Sequence, residues 1–325
     1  MRTELLLLLV SLRTIALGQD DARYNALVKD AYAHYEKKAY RASAERYSAA
    51  FEVLGWKGEA RDRYNAACSW ALAGVPDSAF FQLFRLAEKV NYTNLAHITT
   101  DTDLNSLHPD VRWEQLIALV RANKEKAEAN LDRPLAALLD SIMNEDQQYR
   151  HRIDDVEQQH GRGSKEMKAL WRTISEKDSS NVIVVSKILD ERGWLGADIV
   201  GQRGNQALFL VVQHADITVQ EKYLPMMRDA VKKGNAAASS LALLEDRVAL
   251  GQGRRQIYGS QIGRDKETDT YYVSPLEDPD HVDERRKEVG LEPIADYVSR
   301  WGFTWDPEAY KKELPLLEEK HAEEP

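Results

Sequence analysis

The sequence contains a single cysteine, Cys68, among 325 residues. One thiol cannot form an internal disulfide, and it excludes a metal cluster held by several cysteines. The formal net charge of -9 leaves no basic excess, so the chain lacks the electrostatic footprint of a nucleic-acid-binding protein. With 43% hydrophobic and 30% charged residues, it has the composition of a soluble globular protein that is long enough for two domains.

Long apolar runs are also missing, apart from a short one at the N-terminus. Residues 5–12 are apolar except for Ser11, follow Arg2, and lead to small residues just before Gln19. This order is typical of a secretory signal peptide, here over residues 1–18. A run of about eight residues spans about 12 Å as a helix, whereas the bilayer core is about 30 Å thick. The sequence therefore predicts export to the periplasm or the medium, without stable membrane insertion after cleavage.

Complete catalytic and cofactor motifs are absent as well. The stretch YGSQ at 258–261 lacks the G-x-S-x-G form that exposes a serine nucleophile. The stretch GQGRRQIYG at 251–259 lacks the Lys-Ser/Thr ending of a phosphate-binding loop. No second histidine stands at metal-ligand spacing from His214. The sequence therefore predicts neither a metal site nor a cofactor, and it favours a binding protein over an enzyme.

Helical periodicity with a repeat dominates the first part of the chain. Residues 31–54 and 64–90 both place small residues and aromatic rings at helical spacings, with a period of about 36 residues. This pattern resembles the tetratricopeptide repeat, a helix–turn–helix unit, over about residues 22–126. The resemblance implies a module at 22–130 whose concave groove binds peptide segments of partner proteins. A helix from Val111 to Lys126 is expected to cap the two clear units.

The second part, after the boundary stretch NLDRP at 130–134, stays helical in pattern. An apolar stripe runs from Leu135 to Val156, and GWLGADIVG at 193–201 is expected to be a loop. Further helices are expected at 165–176, 181–191, 204–214, 218–233 and 239–250. Asp278 and Asp306, each followed by proline, are expected to cap two more helices.

Strand patterns occur at one place only. Residues 255–262 (RQIYGSQI) and 270–275 (TYYVSP) are separated by a polar loop that contains Gly and Asp, which predicts a β-hairpin at about 255–275. The fold class is therefore mainly α, with tetratricopeptide-like helical repeats followed by a second helical domain that carries one small β-hairpin. That domain is expected at 131–316, with a frayed tail at 317–325.

The stretch QHAD, which ends the apolar run after Phe209, has two interpretations. In the first, His214 is a general base with Asp216 as its orienting carboxylate, or the two are ligands of a metal, and both chemistries require the two side chains to converge on one point. In the second, His214 ends a helix, where the helix dipole favours a histidine. Asp216 then lies in the turn, and Thr218 opens the next helix with a capping box to Glu221.

Further polar side chains are candidates for a site, and one of them, Asp246, needs a partner. Asp246 lies within the apolar helix 241–250, and a partly buried carboxylate needs a partner. We expect a structural ion pair with Arg247, Arg254 or Arg255. The catalytic candidates are His214, Asp216 and Asp246. The binding candidates are Gln213, Gln220, Arg247, Gln256, Tyr258 and Gln261.

Five blocks of the second half are similar to a bacterial domain family of unknown function, over about residues 131–300. The blocks are ERGWLGADIVG (191–201), VVQHAD (211–216), LALLEDRV (241–248), GRRQIYGSQI (253–262) and PLEDPDHVDERRKEVGLEP (275–293). The resemblance implies that these blocks belong to one domain. It carries no activity and no catalytic residue.

Two functions follow from the sequence. The first is an exported binding or scaffolding protein that docks a partner protein or peptide in the groove of its N-terminal repeats. The alternative is an exported hydrolase with a polar site near His214 and the hairpin at Tyr258–Gln261. The repeat pattern and the lack of a complete catalytic motif favour the first.

Overall fold

The computed structural model describes residues 20–265 and 267–322. The predicted signal peptide at 1–18 lies outside the described residues. The chain divides into two compact units, the first ending at Ala129 and the second beginning at Asn130. Helices dominate both, and the one sheet of the described residues has two strands. The predicted fold class, mainly α with one small β-hairpin, is confirmed.

The first unit is a series of helices joined by short loops. Helix α1 occupies the described residues 20–36. The others are α2 (Tyr40–Val53), α3 (Ala60–Leu72), α4 (Pro76–Lys89), α5 (Leu95–Thr100), a 3-10 helix (Thr102–Leu107) and α6 (Val111–Ala127). Helix α2 packs against α3, α3 against α4, and α4 against α6.

Small residues lie where the helices of the first unit meet. Ala44 and Ala50 on α2 and Ala67 and Ala71 on α3 are buried. Because their side chains are short, the two backbones approach closely and large rings such as Phe51 fill the space beside them. The spacing of small and aromatic residues in the sequence therefore reports the packing of consecutive helices.

The second unit contains longer helices and the hairpin. Its helices are α7 (Arg133–Arg150), α8 (Ile153–His160), α9 (Lys165–Arg192), α10 (Ala197–His214), α11 (Ile217–Lys232), α12 (Ala238–Gly251), α13 (Val282–Glu288), α14 (Ile294–Val298) and α15 (Pro307–Ala322). Short 3-10 helices lie at Pro279–His281 and Ser299–Trp301. The main core lies between α7, α9, α10, α11 and α12. None of the helices in the described ranges is both long and apolar enough to cross a membrane.

Helix α9 is one helix of 28 residues, where the sequence predicts two helices separated near Asp178. The polar residues there do not end the helix, because they find partners that keep the backbone helical. The Asp178 carboxylate accepts a hydrogen bond from Arg150. The hydroxyls of Ser179 and Ser180 donate to carbonyl groups one turn earlier.

Helix α10 begins inside the segment that the sequence predicts to be a loop. Gly201 interrupts it with φ 73° and ψ 165°, a conformation that glycine adopts without steric cost. The helical stretch from Ala197 is therefore kinked at Gly201, and the straight part after it carries His214 at its last residue.

The hairpin is shorter than predicted. Its strands are β1 (Ile262–Arg264) and β2 (Tyr271–Val273), paired antiparallel with Gly263 opposite Tyr272. Residues 255–261 are not part of this ladder: Gln256 forms an isolated bridge with Leu276, and the N–H groups of Ile257, Tyr258, Ser260 and Gln261 bind side chains, as described below. A Cβ atom at Gly263 would lie 2.4 Å from the Tyr272 ring, so any other residue there would require that ring to move.

The expected helix starts and the tail differ in outcome. The Asp306 side chain accepts hydrogen bonds from the N–H groups of Glu308 and Ala309, which confirms its predicted capping role. Asp278 does not cap: it has φ 42°, and its carboxylate contacts the His281 ring instead. The tail predicted to be frayed spans 317–325; its residues 317–322 continue α15, with Leu317 buried, and the rest lies outside the described residues.

Candidate functional site

The predicted candidate His214 has a carboxylate partner, but it is not Asp216. Nδ1 of His214 lies 2.9 Å from Oδ1 of Asp146, which is on α7. The Asp146 side chain is only 1% exposed, and that of His214 is 18% exposed. A carboxylate that holds Nδ1–H fixes the tautomer of the ring and leaves Nε2 as the reactive nitrogen. Nε2 of His214 makes no hydrogen bond to any other residue of the described ranges.

Asp146 was missed by the sequence analysis, although a signal for it exists. It falls on the buried stripe of α7 with Leu139 and Ile142, at helical spacing from both. A charged residue on a buried helical stripe needs a partner from another element. The sequence indicates that such a partner must exist, but only the fold supplies His214.

A network of charges surrounds this pair. The Arg150 guanidinium lies 3.4 Å from Oδ1 of Asp146 and 2.7 Å from Oδ2 of Asp178. Gln147 Nε2 also donates to Asp146. Burial acts to raise the pKa of Asp146, but the hydrogen bond and charge of His214 and the charge of Arg150 outweigh it, so the pKa is lowered.

The same residues form a set of possible metal ligands. One donor atom from each of Asp146, Asp178 and His214 lies within 4.8 Å of the others. Arg150, however, already contacts both carboxylates and neutralises their charge. A divalent cation would have to displace that guanidinium, so the arrangement suits a proton-transfer pair better than a metal site.

His214 lines a cavity of about 440 Å³. Asp216 and Asp178 line it too, together with the apolar side chains of Trp171 and Val182. Trp171 is 49% exposed. The cavity thus combines an imidazole with an apolar wall, which is the usual composition of a small-molecule site.

Asp216 has an architectural role at this corner. Its side chain accepts a hydrogen bond from the N–H of Val219 at 3.0 Å, so Asp216 is the N-cap of α11. The capping residue was expected to be Thr218, two residues later. Asp216 therefore lines the cavity beside His214 without orienting its ring.

Asp246 also has an architectural role, and its partner differs from the prediction. Its carboxylate accepts hydrogen bonds from the N–H groups of Ile257, Tyr258 and Ser260 at 2.6, 2.9 and 2.9 Å. No arginine of the described residues contacts it, so the predicted ion pair does not form. Burial raises the pKa of Asp246, although the three N–H groups oppose that effect. Asp246 shapes the loop that precedes β1.

The glutamine candidates likewise hold backbone in place. Gln256 donates to the carbonyl groups of Gln261 and Ser274 and accepts from the N–H of Gln261. Gln220 donates to the carbonyl groups of Gln213 and Ala215. These amides satisfy carbonyl groups of the loop and of the α10–α11 corner.

The remaining candidates are dispersed. Gln213 donates a long hydrogen bond of 3.5 Å to the carbonyl of Leu243, and Gln261 donates to the hydroxyl of Ser260. Arg247 has a buried Nε atom without a hydrogen-bond partner in the described ranges, and burial followed by the charge of Arg150 lowers its pKa. Tyr258 and Gln261 do not line the cavity that contains His214. The structure thus places His214 and Asp216 on one cavity, whose lining includes neither Tyr258 nor Gln261.

A second candidate site, which the sequence analysis did not single out, lies within the first unit. It is a pocket of about 410 Å³, called here the tyrosine pocket. Its lining residues are Tyr32, Tyr35, Tyr47, Tyr64, Asn65, Cys68, His97, Asp101, Thr102 and Asp103. They come from α1, α2 and α3 and from the segment at the end of α5. The repeat pattern predicts a groove here, but not which side chains face it.

Hydrogen bonds organise the wall of the tyrosine pocket. Tyr35 donates to Oδ2 of Asp103 at 2.5 Å, and Tyr64 donates to Oδ2 of Asp101 at 3.0 Å. Cys68 is 4% exposed, and its Sγ lies 3.7 Å from the same Asp101 oxygen. Burial, followed by Asp101 and Asp103, raises the pKa of the Cys68 thiol. The thiol is therefore protonated at neutral pH and unsuited to nucleophilic catalysis.

Comparison with known proteins places one part of the chain. No curated protein and no solved structure matches it. The first unit and its tyrosine pocket lie outside the one matched span, so its tetratricopeptide-like nature stays a prediction. The matched span contains Asp146, His214, Asp246 and the hairpin. Residues 142–303 match a family of unknown function, DUF6624, which confirms the resemblance of the second half to such a domain family.

Proposed function

We propose that this protein is an exported binding protein that holds a segment of a partner protein in the tyrosine pocket. The observation that carries the proposal is the pocket itself, in which four tyrosines from three consecutive helices surround a space of about 410 Å³. Pockets of about 300–1,000 Å³ are the usual size of ligand sites. The consecutive packing of α2, α3 and α4 supports the resemblance to tetratricopeptide repeats, whose grooves commonly bind peptides.

The side chains in the pocket suit a peptide. Tyrosine offers a large rigid ring and one polar atom at a small entropic cost, and it is enriched where proteins bind other proteins. Tyr32 is 56% exposed, so its ring is accessible to a partner. Asn65 adds an amide, and an amide both donates to and accepts from a peptide backbone.

The place of action is part of the proposal. The apolar run at 5–12 after Arg2 supports export, and we propose that the partner is met in the periplasm or the medium. Cys68, the single cysteine, is free and buried, so the fold needs no disulfide in that compartment.

Selection of random twelve-residue peptides on the immobilised full chain tests the binding function. The Asn65→Trp variant fills the pocket from α3 without a change of charge. The Gln115→Trp variant places the same ring at an exposed position on α6. Peptides selected on the wild type are expected to bind Asn65→Trp at least ten times more weakly and Gln115→Trp equally well. Equal binding to all three proteins would exclude the pocket as the binding site.

A specific observation supports a second function, the alternative hydrolase. It is the contact of 2.9 Å between His214 and the buried Asp146, next to a cavity of about 440 Å³. An imidazole oriented by a carboxylate is a common general base, and proton transfer by such a group contributes about 10²–10⁴-fold to rate. His214 would take a proton at Nε2, while Asp146 holds Nδ1–H and stabilises the imidazolium.

Panels of ester, phosphoester and peptide substrates test this second function on the full chain. Any activity found is expected to fall about 10²–10⁴-fold in His214→Gln and to keep its level in His151→Gln. His151 is the matched control, because it is an exposed histidine at the end of α7. Activity that survives His214→Gln would rule out His214 as the base.

A further inference from the structure

The tyrosine pocket carries two carboxylates without a strong cation. Asp101 and Asp103 both line it. Among the described residues, no lysine or arginine forms an ion pair with either of them. The nearest basic contact is Nε2 of His97, which lies 3.9 Å from Oδ2 of Asp101. Asp146 and Asp178, by contrast, both have Arg150 as a cation.

The rings of the pocket add to its negative potential. Tyr32, Tyr35, Tyr47 and Tyr64 line the same space as the two carboxylates. The face of an aromatic ring is negative and attracts a cation by about 0.5–2 kcal/mol, depending on how far the pair is desolvated. The hydroxyls of Tyr35 and Tyr64 donate to the carboxylates, so they fix the acidic groups without neutralising them.

The phenols themselves stay protonated. The hydrogen bond with Asp103 is the main cause that raises the pKa of Tyr35. Burial, followed by Cys68 and Asp101, raises the pKa of Tyr64. Burial and then Asp101 also raise the pKa of the neighbouring Tyr92, to about 12. These shifts share one direction because burial and the nearby carboxylates both disfavour a phenolate.

From this geometry we infer that the tyrosine pocket takes a lysine or arginine side chain of the partner segment, so that the partner is a basic peptide. The inference rests on the proposed binding function and names the chemistry of its ligand. The ammonium or guanidinium group would pair with Asp101 and Asp103, and its alkyl stem would lie against the tyrosine rings.

A metal ion fits the pocket less well. Cys68, Asp101 and Asp103 each place a donor atom within 4.8 Å of the others. Metal binding needs a thiolate, whereas burial and the two carboxylates raise the pKa of the Cys68 thiol. A single ion would also leave most of about 410 Å³ unfilled. An extended organic cation uses both the charge and the aromatic wall.

The test uses the peptides selected on the full chain and their synthetic analogues. In each selected peptide, lysine is replaced by norleucine and arginine by citrulline, which keep the shape but remove the charge. We expect lysine or arginine to be enriched at one position of the selected peptides. Its neutral analogue is expected to bind the wild type about ten times more weakly, as measured by fluorescence anisotropy.

Two variants connect that charge to the pocket. Asp103→Asn and Asp101→Asn are expected to bind the basic peptides about tenfold more weakly than the wild type does. Both variants are expected to bind the neutral analogues with unchanged affinity. Glu88→Gln is the control, since it removes one negative charge from an exposed position on α4. Urea unfolding of each variant shows whether it keeps the fold. If Asp101→Asn does not fold, Asp103→Asn alone provides the test.

The outcomes separate this inference from the proposed function. Peptides that bind in a manner sensitive to Asn65→Trp, but without preference for a basic residue, would overturn the inference and leave the function standing. Binding unaffected by Asn65→Trp would overturn both. Zn²⁺ alone is titrated by calorimetry: micromolar binding that is lost in Cys68→Ser, together with no preference for basic peptides, would show a metal site instead.

Discussion

Nδ1 of His214 lies 2.9 Å from Oδ1 of Asp146, although 68 residues separate them in the chain. The contact joins the last residue of α10 to the buried face of α7. It places the histidine at the edge of a cavity and the carboxylate beneath it. The contact therefore has two effects. It gives the buried Asp146 carboxylate a partner, and it orients the His214 ring that lines the cavity.

The decrease of the free energy of unfolding at acid pH tests the contribution of the Asp146 carboxylate. Its pKa lies below the ordinary 3.8, because His214 and Arg150 outweigh burial. A lowered pKa stabilises the fold above about pH 4, and this contribution is lost as the pH falls through the folded-state value. We expect Asp146→Asn to lower the free energy of unfolding by about 1–3 kcal/mol at pH 7 and by much less near pH 2.

Urea unfolding from pH 7 to pH 2 measures this difference between wild type and variant. Asp140→Asn is the control, because its carboxylate is half exposed and pairs with Arg203 on the surface. A constant difference at every pH would mean that Asp146 stabilises the fold through shape alone.

Asp246 is expected to be the most sensitive acidic residue of the second unit. Asp246→Ala leaves three N–H groups without their acceptor, which costs more than about 3 kcal/mol. Asp246→Asn keeps one acceptor oxygen and is expected to cost less. Hydrogen exchange of the Ile257 and Ser260 amides is expected to speed up in both variants.

The neighbouring Glu245 supplies the control for that experiment. Its carboxylate, 16% exposed, pairs with Arg228, whose side chain is 50% exposed, so Glu245→Ala removes one partly solvated ion pair and is expected to cost clearly less than Asp246→Ala. Equal losses for Glu245→Ala and Asp246→Ala would contradict the role of Asp246 as an anchor for the loop.

Two variants test whether Asp216, as observed, or Thr218, as the sequence predicts, caps the N-terminus of α11. Asp216 accepts from the N–H of Val219, so Asp216→Ala is expected to lower the free energy of unfolding by about 1 kcal/mol. Thr218 is exposed and caps nothing, so Thr218→Ala is expected to stay within about 0.5 kcal/mol of the wild type. Thermal or urea unfolding gives both values, and the reverse order would restore the capping box.

The thiol of Cys68 is expected to react slowly in the folded protein. Burial, followed by Asp101 and Asp103, raises its pKa, and the thiolate is the reactive form. Alkylation by iodoacetamide at pH 8 is expected to be about 100-fold slower than in urea. Asp101→Asn is expected to accelerate it. Similar rates in folded and unfolded protein would show that the thiol is accessible and unperturbed.

The mainly helical class and the single hairpin were predictable, because apolar spacing follows directly from which face of each element is buried. The capping role of Asp306 was predictable because its side chain binds the N–H groups of Glu308 and Ala309, which are only two and three residues away in the chain. The break expected near Asp178 was wrong because Arg150, from another helix, binds the residue that would otherwise end the helix.

The candidate sites were only partly predictable. The stretch QHAD indicates His214 as a candidate and suggests Asp216 as its partner, because a single sequence shows only which residues are close in the chain. The observed partner, Asp146, is 68 residues away. The repeat pattern implies a groove, but nothing in the polar segment that contains Asp101 and Asp103 marks these two residues as part of its lining. Which of many exposed acids meets a ring from another helix depends on packing.

The sequence by itself determined the helical periodicity, the position of the hairpin, the lack of disulfides and the type of residue at each helix end, since all of these depend on neighbours within about one turn. Only the tertiary structure decided that Asp146 meets His214, that Asp246 binds a loop and not an arginine, and that two carboxylates share a pocket with four tyrosines. Those contacts join residues far apart in the chain, and helix packing alone sets the distance between them.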